Sequence, residues 1–160
     1  LRAQAYSRSG SEVRWRLNMP ISNVVGSAGM LTTVGDLLKW NASLDAKTFG
    51  EPFVSALEKQ GVLNDGRVIR YALGVQLGKH QGFREVGHEG RTAGYQTHLV
   101  RFPEKGLSMA VLCNGNAPAP LDVIDGVFEE ILGPFPEADK GRAVTVPIDE
   151  LRKYVGIVAE

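Results

Sequence analysis

The chain reads as an α+β domain, an antiparallel sheet flanked by helices. Three observations predict this. Helical periodicity dominates from residue 34 to about residue 61. Strand-like alternation, broken by tight turns, takes over from about residue 68. A stronger helical stripe then closes the pattern between residues 121 and 132. Helices and strands segregated along a chain in this way fit the α+β class.

The elements follow in order. Residues 1 to about 27 are aperiodic, with short strand-like pieces around 13–17, and Pro20 with Gly26 and Gly29 marks an irregular connection. Thr33-Val34-Gly35-Asp36 has the form of a capping box, with Asp36 in the place usually held by Glu or Gln. Val34, Leu37, Leu38, Asn41 and Leu44 follow at helical spacing and predict a helix over about 34–45. Glu51-Pro52 suits the first turn of a second helix, ending near Gly61. Asn64-Asp65-Gly66 predicts a turn.

Tyr71, Leu73, Val75 and Leu77 alternate as a strand does, and residues 83–88 and 95–102 predict two more strands. Pro103-Glu104-Lys105-Gly106 is a turn before a fourth strand at 107–114. The run Leu107-Ser108-Met109-Ala110-Val111-Leu112-Cys113 is apolar on both faces, which places this strand in the middle of a sheet. Leu121, Ile124, Val127, Phe128, Ile131 and Leu132 form an amphipathic stripe closed by Gly133-Pro134. Residues 1–133 thus form one domain, 134–146 a linker, and 147–160 the start of a further element.

Composition narrows the function. With 160 residues, 43% apolar and 22% charged, the chain can bury a real core. Eighteen basic and eighteen acidic residues cancel, so nothing argues for nucleic acid or an anionic membrane surface as partner. No run of about 18 apolar residues predicts a membrane span. Cys113 is the single cysteine, which excludes an internal disulfide framework and a cysteine-based metal site. The chain starts without Met, inside what reads as structure, and is expected to be a fragment of a longer protein.

The most informative stretch is Gly87-His88-Glu89-Gly90-Arg91-Thr92-Ala93-Gly94-Tyr95. It reads as a strand end and a tight turn, where glycines permit close backbone approach and exposed N–H groups can meet a substrate oxygen. His88 is the candidate functional side chain; its alternative is a strand-end histidine bonded locally. No nucleophile is evident for such a site. Gly-x-Ser-x-Gly and Ser-x-x-Lys are both absent, and Ser43 and Ser55 have lysines four residues on, where the motif needs three. His80, His88 and His98 share no metal-ligand spacing, and no phosphate loop or dinucleotide fingerprint occurs. No metal and no cofactor are expected.

Four segments, in order over 27–116, carry a resemblance. The stretch from Ser27 to Trp40, Ser-Ala-Gly-Met-Leu-Thr-Thr-Val-Gly-Asp-Leu-Leu-Lys-Trp, resembles the small–Gly–Gly–Leu–x–Ser/Thr–Thr–x–x–Asp–Leu–x–x–Trp segment of the serine β-lactamase-like family. Tyr71-Ala72-Leu73-Gly74-Val75 is similar to that family's Tyr-Gly-Leu-Gly-Trp strand. Gly87-His88-Glu89-Gly90, with Gly94-Tyr95, looks like its third active-site motif in the His-x-Gly form, and Phe102-Pro103 and Val111-Leu112-Cys113-Asn114 match the next two strands. The branch is that of class C β-lactamases, penicillin-binding DD-peptidases and related esterases. Met30 and Ala72 stand where the family usually has glycine. Tyr6-Ser7-Arg8 lacks the Asn of the family's Tyr-x-Asn motif.

The resemblance implies the C-terminal portion of the β-lactamase/transpeptidase-like fold and an acyl-enzyme mechanism, with a serine attacking a carbonyl. His88 would stand where many relatives carry lysine, and the backbone N–H of Arg91 would supply half of the oxyanion hole. Glu89, Gly90 and Thr92 would line the substrate, Glu89 adding a charge to that wall. The nucleophile motifs would lie upstream, so this chain alone is expected to be inactive. Its partners would be a small-molecule or peptide substrate, plus the missing N-terminal segment or a second copy covering the strand at 107–114. The resemblance favours a periplasmic or secreted parent, and residues 147–160 look like the lead-in to an additional domain of some members. Two other readings stand beside it, a non-catalytic peptide- or lactam-binding module and an α+β interaction domain.

Overall fold

The computed structural model describes residues 2–8, 14–18, 26–133, 147 and 150. Strands β1 (Tyr6–Ser7) and β2 (Arg16–Leu17) form a small antiparallel pair. Helices α1 (Val34–Asp45) and α2 (Glu51–Leu57) follow. Then come β3 (Gln76–His80), β4 (Phe83–Thr92), β5 (Tyr95–Phe102), a 3-10 turn (Pro103–Lys105), β6 (Leu107–Cys113) and α3 (Pro120–Leu132). The main sheet is antiparallel throughout, in the order β3-β4-β5-β6. It is the α+β arrangement read from the sequence. Among the described residues no helix is long and apolar enough to cross a membrane.

Local signals place the helices. The Asp36 N–H donates to Thr33 Oγ1 at 3.2 Å and the Thr33 hydroxyl donates back to the Asp36 carboxylate at 2.9 Å, which closes the capping box. Pro52 sits in the first turn of α2 and Pro120 in that of α3, where a missing N–H costs nothing.

The core lies between one sheet face and α3. Val100, Phe102, Met109, Ile124 and Phe128 are buried there, joined by Phe83, Leu107, Val111 and Leu132. The other face receives α1, which turns Leu37, Asn41 and Leu44 inward. Asn41 sits in this apolar stripe because its Nδ2 donates to the Val100 carbonyl at 3.1 Å. Arg101, on the same face, pairs with Asp45 at the end of α1 and Glu58 at the end of α2, and Glu58 also takes Arg84.

Four sequence expectations are corrected. The alternation from Tyr71 to Leu77 is not one strand: β3 begins at Gln76, and residues 71–75 form a turn with Gly74 at φ +77°. Only Tyr71 keeps a bridge, to Gln76. Helix α2 stops at Leu57, because Leu57 and Gly61 give their carbonyls to the returning chain at Leu73 and Ile69. Strand β4 runs on to Thr92, beyond the expected His88. Finally, β6 is an edge strand among the described residues, not a central one. Its two apolar faces answer to α1 on one side and α3 on the other. Burial of both faces therefore says nothing about strand neighbours. Past its end, the N-terminal segment docks through Tyr6 N–H to the Asn114 carbonyl at 2.8 Å. The expected linker at 134–146 lies outside the described residues, as do all of 147–160 except Pro147 and Glu150.

Candidate functional site

All five candidate residues lie on β4, and the sheet's register decides where each faces. Gln81-Gly82 joins β3 to β4 and Ala93-Gly94 joins β4 to β5, with φ of +49°, +86°, +48° and +83°. Two successive residues at positive φ make the hairpin turn whose twist matches its strands. In such a hairpin the pair flanking the turn exchanges backbone hydrogen bonds, and bonded pairs recur at every second residue. Those flanking pairs are His80 with Phe83 and Thr92 with Tyr95. Odd-numbered β4 residues therefore turn their backbone groups toward β3, and even-numbered ones toward β5. β3 supplies partners only as far as Gly87, opposite Gln76. Beyond it, the N–H and C=O groups of Glu89 and Arg91 face an edge that carries no strand among the described residues.

Side chains split by the same alternation. His88, Gly90 and Thr92 share the face of Arg101 and α1. Glu89 and Arg91 share the α3 face, beside His98 and Gln96. The five neighbours in sequence thus belong to two surfaces, joined only along the strand edge. The Glu89 carboxylate charge acts on His98. Burial lowers the His98 pKa below its ordinary 6.5, against opposing pulls from the charges of Glu85 and Glu89.

His88 is held from both ring nitrogens. Nε2 lies 3.0 Å from the Tyr71 hydroxyl, and Nδ1 contacts the Glu89 carbonyl. Since a carbonyl only accepts, Nδ1 carries the proton, and in the neutral ring Nε2 accepts from Tyr71. Tyr71 reaches this position from the 71–75 turn, which Leu73 N–H ties to the Leu57 carbonyl at 3.2 Å. The sequence assigned Tyr71 to a strand and missed this pairing. Its only trace was Gly74, whose positive φ breaks the alternation.

The glycines differ in purpose. A Cβ on Gly87 would stand 2.5 Å from the Leu99 carbonyl oxygen and 2.9 Å from Val100 Cα, so backbone closeness demands glycine. At Gly90 the clash would be with the Thr97 hydroxyl alone, at 2.7 Å. Ser43 and Ser55 turn their hydroxyls back into their own helices, toward the Lys39 carbonyl at 2.8 Å and Glu51 at 3.3 Å. His80 and His98 each lie 4.0 Å from Glu85 under α3, and no group of His, Cys, Asp and Glu among the described residues has the geometry to hold a metal ion.

An antiparallel sheet flanked by helices is the arrangement of the β-lactamase/transpeptidase-like fold. The chain belongs to the beta-lactamase family, whose model matches residues 1–131. Among solved structures it is similar to the octameric penicillin-binding protein homologue from Pyrococcus abyssi, with a TM-score of 0.69 and 23% identity. That match covers 84% of this chain but only 32% of the other. Comparison with curated proteins gives no match.

Proposed function

We propose that this chain is part of a serine hydrolase of the class C β-lactamase, DD-peptidase or esterase branch, and that it works through an acyl-enzyme. It supplies one wall of the site and half of the oxyanion hole; the serine and its base come from a preceding segment of the same protein. The observation that carries this reading is the open β4 edge, where the Arg91 N–H faces out beside the anchored His88. A preset donor aimed at the developing oxyanion is worth about 3–4 kcal/mol in the transition state. Gly90 and Thr92 line the substrate on the His88 face, and Glu89 adds charge from the far side of the edge. The β6 edge pairs with that preceding segment or with a second copy, self-association being a property of the octameric structural relative.

The test uses the parent protein. Arg91→Pro removes the donor at a position where proline spares the ladder to β5, and it should lower kcat by about 10²–10³ with little change in fold. Unchanged kcat would reject the oxyanion role. This chain alone should show no ester or β-lactam turnover; turnover lost on a Ser→Ala change within it would reject the split site. Saturable ligand binding by a parent that has no turnover would favour a non-catalytic binding module instead.

A further inference from the structure

Helix α2 ends on the sheet face that carries His88, and Glu58 closes it, its N–H donating to the Val54 carbonyl at 3.0 Å. One Glu58 carboxylate oxygen takes Arg101 and the other takes Arg84. These two arginines stand around Val86. Arg101 is its cross-strand partner on β5, and Arg84 precedes it by two positions on the same face of β4. His88 follows Val86 by two positions, on that face again. The Glu58 side chain is only 11% exposed, and its charge-assisted bonds pin the end of α2 to the sheet beside the histidine.

The pinned end also holds the turn that carries Tyr71. The Gly61 N–H donates to the Tyr71 carbonyl at 2.8 Å, and the Leu73 N–H donates to the Leu57 carbonyl at 3.2 Å. Leu57 and Gly61 bracket Glu58 in the chain. On its other side Tyr71 bridges Gln76, the first residue of β3. From this turn the Tyr71 hydroxyl reaches His88 Nε2 at 3.0 Å.

We infer that Glu58 is a positioning residue for His88 and acts through Tyr71. Its ion pairs fix the end of α2, that end fixes how the 71–75 turn lies over the sheet, and the turn presents the hydroxyl that holds the histidine. The inference rests on the reading of His88 as part of the site. The experiment reads the His88 ring by nitrogen-15 spectra of the full 160-residue chain, at a pH where the ring is neutral and well below the Tm of each variant. Glu58→Gln should lower the ratio of the Nδ1–H to the Nε2–H tautomer by about fivefold, the worth of one hydrogen bond. In the Tyr71→Phe background the same change should add nothing, because the hydroxyl it acts through is gone. Asp45→Asn is the control: it takes the other carboxylate from Arg101, leaves both Glu58 pairs, and should not move the ratio. Leu73→Pro tests the link with every charge retained. It removes only the N–H bonded to Leu57, and Leu73 has a negative φ inside a tight turn closed by the Gly74 N–H on the Ala72 carbonyl at 3.0 Å, a geometry proline shares. It should move the ratio in the same direction as Glu58→Gln. A ratio unmoved in Glu58→Gln or in Leu73→Pro, a further shift in the double variant, or an equal shift in Asp45→Asn would overturn the inference. Turnover by the parent is read separately. A parent without turnover rejects the hydrolase reading, while the tautomer ratio still decides the role of Glu58.

Discussion

The Tyr71 hydroxyl lies 3.0 Å from His88 Nε2, and the two rings meet edge to face with centroids 5.5 Å apart. The contact joins a turn to a strand, and together with the Glu89 carbonyl on Nδ1 it holds the histidine in one tautomer. Nitrogen-15 spectra of the chain, at a pH where the ring is neutral, should show the His88 proton on Nδ1. Tyr71→Phe should shift population toward the Nε2–H form without lowering Tm appreciably. A wild-type ring protonated mainly on Nε2 would rule this arrangement out.

Glycine at 87 and glycine at 90 should respond differently to alanine. Gly87→Ala pushes a methyl into the β5 backbone and should cost about 1–3 kcal/mol by denaturant unfolding. Gly90→Ala meets only the Thr97 hydroxyl, so its smaller penalty should vanish in the double variant with Thr97→Ala. Equal losses at both positions would contradict the register described here.

Stability should fall on acidification through His98. Burial lowers its pKa in the folded state. The unfolded chain therefore takes up the proton first as pH drops, and protonation favours unfolding. The contribution is complete above the ordinary imidazole value and is lost as pH falls through the lower folded value. His98→Gln should flatten the pH dependence of unfolding below about pH 6.5. An unchanged slope would mean that another group controls it.

Arg101 is the electrostatic hinge of the α1 and α2 face, with a side chain only 4% exposed. Glu58→Gln removes the charge it shares with Arg84 and should destabilise by about 3 kcal/mol, because a buried cation loses a partner. Lys47→Ala breaks only the exposed pair with Glu51 and should leave Tm unchanged. Thermal unfolding of the two variants side by side distinguishes a buried network from a surface pair.

The sequence by itself determined the features whose causes are local. Thr33 and Asp36 cap α1 because they are three residues apart on one turn. The stripe containing Ile124 and Phe128 specified α3. The stretch from Gly87 to Tyr95 stands out for the same reason: its glycines, His88 and Arg91 are neighbours in the chain.

Only the tertiary structure decided which of those neighbours act together. Alternation sends Glu89 and Arg91 side chains to one face and His88 to the other, and nothing local says which face is which. Tyr71 meets His88 across 17 positions, and Arg101 meets Asp45 across 56. The place where β3 stops, which leaves the β4 edge open, depends on a turn anchored to the end of α2. These relations follow from packing and register, which couple distant residues, and residue spacing does not encode them.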